Sequence, residues 1–152
     1  MGEVFFYHLT HSTLDATLRQ LLEKSLAQGW RVLVRGRDPA VLAGLDAALW
    51  LGAADGFLPH GRAGGDHDAH QPVLLTTETA ATGDRACVVA VDSAPITPDE
   101  AAVLARAMII FDGGDEAALA AARAQWKTLT SAGITAKYWS EQSGRWALKT
   151  ES

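Results

Sequence analysis

The alternation of short apolar runs with helix-length segments is the feature that most limits the folds open to this chain. Residues 4–9 form an aromatic, β-prone run, and residues 31–35 form an apolar run with an arginine at each end. Between them, leucines recur at helical spacing from Leu14 to Leu22. Strands that alternate with helices in this way predict a largely parallel sheet flanked by helices.

Capping residues predict where the first two helices begin and end. We expect Ser12 to be the N-cap of the first helix and Gly29 to stop it. Asp38 followed by Pro39 predicts the start of the second helix, since proline is favoured at the first helical position. This helix is expected to end at Gly52.

Two further helices are predicted in the second half of the chain. Thr97 begins a capping box that Glu100 completes, and the helix should be short because residues 108–111 again form a buried apolar run. The fourth helix is expected to end near Ser131, with Gly133 as its stop.

The remaining strands complete the predicted sheet. Residues 73–76 and 86–91 are strand candidates, and residues 134–139 and 145–148 predict a closing β-hairpin. Residues 52–71 are rich in glycine, aspartate and histidine and predict a long flexible loop. We expect one α/β domain over residues 1–150, since 152 residues fit a single core.

Charge and cysteine content restrict the function classes. The net charge is −5 and the pI is about 5.4, whereas proteins that bind nucleic acid through its phosphates usually have a basic face and a high pI. The single cysteine, Cys87, excludes an intrachain disulfide and favours the reducing cytoplasm. No segment has the pattern of a signal peptide or of a membrane span.

Motifs for nucleotide or acyl chemistry are missing from the sequence. It contains no G-x-x-x-x-G-K-[ST] loop and no G-x-S-x-G nucleophile elbow, and no G-x-G-x-x-G follows the first strand. We therefore predict no catalytic residues and no cofactor.

One cluster of metal-ligand side chains needs an explanation. Residues 66–70 contain two histidines and two aspartates. We interpret them as part of a solvated loop and predict no metal, because metal sites usually draw their ligands from rigid elements. A metal- or nucleotide-dependent hydrolase that uses this loop is the alternative function.

The fourth helix carries the first candidate binding surface. Trp126 belongs to its apolar stripe, and Arg123 and Lys127 border the stripe four residues apart, so both cations project the same way. A tryptophan beside two aligned cations suits a ligand that is part apolar and part anionic. The pattern also fits a core tryptophan beside solvated cations, and it leaves both interpretations open.

Two aromatic residues form the second candidate surface. Trp50 lies at the predicted end of the second helix, and Phe57 lies in the loop that follows it. Large aromatic side chains at such a junction either cover the core or anchor a partner protein.

Several of these motifs, in this order and spacing, resemble the chi subunit of bacterial DNA polymerase III holoenzyme. The similarity covers nearly the whole chain. The motifs are Val4-Phe5-Phe6-Tyr7-His8-Leu9, Leu45-Asp46-x-x-Leu49-Trp50, Phe57-x-Pro59-His60, Pro72-Val73 and Arg123-x-x-Trp126-Lys127 with Ala132-Gly133 after it.

The resemblance implies a Rossmann-like, non-catalytic accessory protein of the clamp loader. Members of this family bind the acidic C-terminal tail of single-stranded-DNA-binding protein, and many also bind the psi subunit, so DNA would be contacted only indirectly. By the resemblance, the tail site falls on Arg123, Trp126 and Lys127, and the second protein interface falls on Trp50 and Phe57.

Overall fold

In the computed structural model of the protein, the description covers residues 3–51, 61–62, 72–77, 85–141 and 146–151, with backbone alone at 50–51 and 61–62. The helices are α1 (Leu14–Ala27), α2 (Pro39–Leu51), α3 (Pro98–Val103) and α4 (Glu116–Ser131). The strands are β1 (Glu3–Leu9), β2 (Val32–Arg35), β3 (Gly61–Arg62), β4 (Val73–Thr76), β5 (Cys87–Ala90), β6 (Arg106–Asp112), β7 (Thr135–Ser140) and β8 (Ala147–Glu151).

The described strands form one sheet in the order β3-β4-β2-β5-β6-β1-β7-β8. Neighbouring strands are parallel from β3 to β7, and only the β7–β8 hairpin is antiparallel. The predicted α/β class is thereby confirmed: a mostly parallel, Rossmann-like sheet with a C-terminal hairpin.

Helices cover the sheet on both faces, and the alternation of side chains along each strand explains why. In β1, Phe5 and Tyr7 pack with the leucines of α1 and α2, whereas Val4 and Phe6 pack with α3 and α4. Successive side chains of a strand point to opposite faces, so a run that is apolar throughout requires cover on both sides.

Local capping signals placed most helix ends correctly. Thr97 and Glu100 form the predicted capping box of α3, and the Asp38 carboxylate accepts a hydrogen bond from the Ala40 amide at the start of α2. Gly29 and Gly133 have φ values of +83° and +86°, the left-handed conformation that glycine adopts most readily after a helix.

The predicted N-cap of α1 was wrong by one residue. Thr13, and not Ser12, caps the helix and accepts a hydrogen bond from the Ala16 amide. The amide and hydroxyl of Ser12 instead donate to the carboxylate of Glu141, which also accepts from the Thr10 amide. Glu141 is 4% exposed and fastens the β1–α1 connection to the end of β7.

Arg35 was expected as the charged end of a strand, and its side chain is fully buried. Its guanidinium forms two hydrogen bonds of 3.0 and 2.6 Å with the carboxylate of Glu100 and a third of 3.0 Å with the carbonyl of Pro95. Burial raises the pKa of Glu100, but hydrogen bonds from Arg35 and Thr97 outweigh that effect and leave the pKa below its usual value.

The predicted loop over residues 52–71 lies mostly outside the described residues. Within it, Gly61–Arg62 pairs with β4 as β3. Among the helices described, none is long and apolar enough to cross a membrane.

Candidate functional site

A pocket of about 320 Å³ opens between α4 and the C-terminal hairpin. Helix α4 packs over β6 and β7, while β8 continues the sheet beyond the helix and leaves a recess beside it. The lining residues come from β6, α4, β7 and β8: Phe111, Leu119, Ala122, Arg123, Trp126, Tyr138, Lys149 and Thr150.

The floor and walls of this pocket are apolar. Phe111 is 5% exposed and Ala122 is also buried. The Trp126 ring makes an edge contact with Phe6, with centroids 5.2 Å apart, and another with Tyr138 at 6.2 Å. Trp126 therefore packs against the core and also lines the wall of the pocket.

Tyr138 is held in place by a close contact at the carboxyl ends of the parallel strands. Its hydroxyl and Nδ1 of His8 are hydrogen-bonded at 2.5 Å. The His8 ring lies against Gly113, where a Cβ atom would come 1.8 Å from the ring. Burial raises the pKa of Tyr138, and the charge of Arg123 opposes that shift only in part, so the hydroxyl is neutral at ordinary pH.

The rim of the pocket is cationic. Arg123 of α4 and Lys149 of β8 both line it, and no carboxylate does among the residues that the structure describes. Within the described part of the chain, neither cation has a carboxylate within 4.0 Å. A protein with net charge −5 thus carries a small basic pocket.

An irregularity in β8 brings Lys149 to this rim. Tyr138 pairs with Thr150 and Trp139 pairs with Leu148, so Lys149 is the extra residue of a β-bulge. In a regular strand Lys149 and Thr150 would point to opposite faces, whereas a bulge redirects side chains. Both residues therefore line the same pocket.

The structure brings together only part of the predicted site. Arg123 and Trp126 line the pocket, whereas Lys127 is exposed one turn further along α4 and does not. Trp50 lies in the last turn of α2, where the structure describes the backbone alone. Phe57 lies outside the described residues.

Sequence reasoning missed the contributions of the sheet. Tyr138 could have been found from the alternation in the predicted hairpin, since it follows the buried Ala136 at a spacing of two. Nothing in the sequence signals that Lys149 occupies a bulge.

The described residues contain no candidate metal site. In the described ranges, no group of three or more histidine, cysteine, aspartate or glutamate side chains is placed to hold an ion. The cluster at residues 66–70 lies outside those ranges.

The fold and the pocket define a class of protein: an α/β protein with an apolar, cation-rimmed pocket suited to binding an anionic partner. Residues 1–137 match the family described as DNA polymerase III chi subunit, HolC. The chain belongs to this family and is therefore an accessory subunit of DNA polymerase III. No curated protein sequence matches it. The family match ends before Tyr138 and β8, so Lys149 lies beyond it.

Proposed function

We propose that this chain binds the acidic C-terminal tail of single-stranded-DNA-binding protein in the pocket between α4 and β8. In doing so it links the clamp loader to protein-coated single strands. The cation-rimmed apolar pocket carries this proposal, because a tail that ends in an apolar residue and a carboxylate needs both kinds of surface at once.

In this proposal each part of the pocket has a role. Arg123 receives the terminal carboxylate, since a guanidinium can donate two parallel hydrogen bonds to it. Trp126 and Tyr138 form the wall against which the last apolar side chain packs. Lys149 lies across the pocket from α4 and, with Lys127 further out, attracts the preceding acidic residues.

A second interface completes the proposed adaptor. We place it at Trp50 and Phe57, where the family's contact with the psi subunit falls by resemblance. This surface involves α2 and the segment after it, whereas the tail pocket involves α4, β7 and β8.

Titration with a synthetic tail peptide tests the proposal. The peptide copies the C-terminal tail of the same organism's single-stranded-DNA-binding protein, and calorimetry measures its affinity over a range of salt concentrations. We expect saturable binding that weakens with added salt, because exposed charges are screened within about 8 Å at physiological ionic strength.

The matched control for that titration is the same peptide with asparagine in place of each aspartate. We expect it to bind much more weakly at low salt. Equal affinities of the two peptides would contradict a cationic tail site.

The two lysines provide a prediction about the path of the peptide. Lys149→Ala is expected to weaken peptide binding more than Lys127→Ala, because only Lys149 lines the pocket. Exposed ion pairs contribute about 0.2–1 kcal/mol, so the loss should be up to roughly fivefold. A larger loss in Lys127→Ala would mean that the peptide runs along the outer turn of α4 and avoids β8.

A further inference from the structure

A second and larger cavity, of about 440 Å³, lies on the opposite face of the sheet. It opens between α1 and the β6-β1-β7 part of the sheet. Five aromatic side chains of the described residues line it: Phe5, Tyr7, Trp30, Trp139 and Trp146. Its size is within the range of small-molecule sites, which is about 300–1,000 Å³.

Three buried polar atoms without hydrogen-bond partners belong to residues that line this cavity. They are Oγ1 of Thr17, Nε of Arg106 and Nε1 of Trp139. No other buried side-chain nitrogen or oxygen in the described ranges lacks a partner. Thr17 is only 2% exposed, and leaving a buried polar group unpaired is costly, so three at one cavity need an explanation.

Among the described residues, no carboxylate pairs with Arg106 either. Its guanidinium carbon lies 4.2 Å from the Phe5 ring centroid and 5.1 Å from that of Trp30, so the cation is held between aromatic faces. No described carboxylate lies within ion-pair distance of it. The described residues that line the cavity include a second cation, Lys24, and no acidic residue.

The chemistry of these groups specifies a ligand. The Nε–H of Arg106 and the Nε1–H of Trp139 are donors only, so they require acceptor oxygens. The aromatic walls suit a flat ring, and Arg106 and Lys24 favour a negative charge. Burial raises the pKa of Tyr7 to about 12, which keeps its hydroxyl protonated beside them.

We propose that this cavity binds a small molecule composed of a planar aromatic ring and one carboxylate or phosphate, with the anion at Arg106 and the ring between the tryptophans. This site is separate from the tail pocket. Two of its walls, Trp139 and Trp146, lie beyond the residues that match the family, so the proposal rests on this chain's own residues.

Calorimetry with two anionic probes and their uncharged counterparts tests the proposal. The probes are thymidine monophosphate and indoleacetate, and the counterparts are thymidine and indoleacetamide. We expect at least one anion to bind saturably and at least about tenfold more tightly than its counterpart. Which anion binds tells whether the source is a nucleotide or an aromatic acid.

Variants of the lining locate the binding. Arg106→Gln should remove most of the preference for the anion, a loss of roughly ten- to a hundredfold, because a charge-assisted hydrogen bond is lost. Arg37→Gln is the matched control, since Arg37 is an exposed arginine that does not line the cavity, and it should bind as the wild type does.

Thr17→Val provides a second test of the ligand site if the Arg106→Gln variant does not fold. The substitution replaces an unpaired buried hydroxyl with a methyl group of similar size, so the melting temperature should stay the same or rise. The affinity for the anion should nevertheless fall by roughly three- to tenfold. Lower affinity at undiminished stability cannot come from unfolding.

Several results would overturn the proposal. One is the absence of saturable binding of either anion up to about 1 mM. Others are equal affinity for an anion and its uncharged counterpart, or a wild-type preference in a folded Arg106→Gln variant. Displacement of the probe by the tail peptide would show that the cavity belongs to the tail site, and it would equally overturn a separate ligand site.

Discussion

Replacing Glu100 with alanine is expected to lower the free energy of unfolding by about 3–5 kcal/mol. The substitution removes the carboxylate that accepts two hydrogen bonds from the fully buried guanidinium of Arg35, and removing one partner of a buried ion pair is among the most destabilising changes a point mutation can make. It also removes the capping box of α3. For a protein of this size the melting temperature should fall by roughly 6–20 °C, measured by calorimetry.

Asp99→Ala is the matched control for this prediction. Asp99 is an exposed acidic residue in the same first turn of α3, so its loss removes a similar interaction with the helix dipole but no buried pair. We expect a change below about 1 kcal/mol. If both variants lose the same stability, the effect comes from the helix terminus and not from Arg35.

A double substitution tests whether the stabilities contributed by Arg35 and Glu100 depend on each other. Arg35→Met combined with Glu100→Leu removes both charges, and well-packed apolar replacements of buried ion pairs are often neutral. We expect the double variant to be more stable than Glu100→Ala alone. A double variant that is as unstable as the sum of its single substitutions would mean that the two side chains are not coupled.

Lowering the pH should weaken the same interaction, because Glu100 becomes protonated. Because the pKa of Glu100 is lowered in the folded protein, the unfolded chain binds the proton more readily. The stabilisation is therefore present above the unfolded value of about 4.3 and is lost as the pH falls through the folded pKa. Stability measured below about pH 4.5 should fall more steeply in the wild type than in Glu100→Ala.

The strands and helix ends could be predicted because their signals are local. Asp38 and Pro39 lie at the start of α2, and Thr97 and Glu100 lie within one turn of each other in α3. Likewise, a continuous apolar run predicts a covered strand wherever its neighbours lie. Such features require no knowledge of which segments meet in space.

The structural roles of Arg35 and Ser12 cannot be predicted from such local signals. A charged residue at the end of a strand has the same sequence pattern whether it meets water or a partner, and Glu100, which pairs with Arg35, is 65 residues away. Ser12 and Thr13 are both good N-caps by type. The choice between them depends on Glu141, which lies 129 residues from Ser12. Its carboxylate accepts a hydrogen bond from the Ser12 hydroxyl, which therefore does not cap the helix.

In the candidate tail site, too, local patterns predicted some of the lining residues and not others. Arg123 and Trp126 could be predicted together because residues three apart share one face of a helix. Lys149 enters the pocket through a bulge, which depends on the hairpin register and not on the local pattern, whereas Tyr138 follows the local alternation along β7 and was overlooked. The sequence thus identified the helical wall of the pocket and missed its sheet wall.

Arg123→Ala is expected to weaken binding of the tail peptide by roughly ten- to a hundredfold, or about 1.5–3 kcal/mol. The reason is that Arg123 lines the apolar pocket and has no carboxylate partner among the described residues. Arg123→Lys should give an intermediate loss, because an ammonium keeps the charge but cannot donate two parallel hydrogen bonds to one carboxylate. Arg37→Ala, at an exposed position outside the pocket, should bind as the wild type does.

The sharper test combines this substitution with a change in the peptide. Amidation of the terminal carboxylate should weaken binding to the wild type by a similar factor, because it removes the group that Arg123 receives. In Arg123→Ala the same amidation should have little further effect, since the interaction is already absent. Calorimetry on the four combinations gives the coupling energy, which we expect to approach the full loss of about 1.5–3 kcal/mol. If the two losses simply add, Arg123 does not hold the carboxylate, and Lys149 becomes the next residue to pair with amidation in the same cycle.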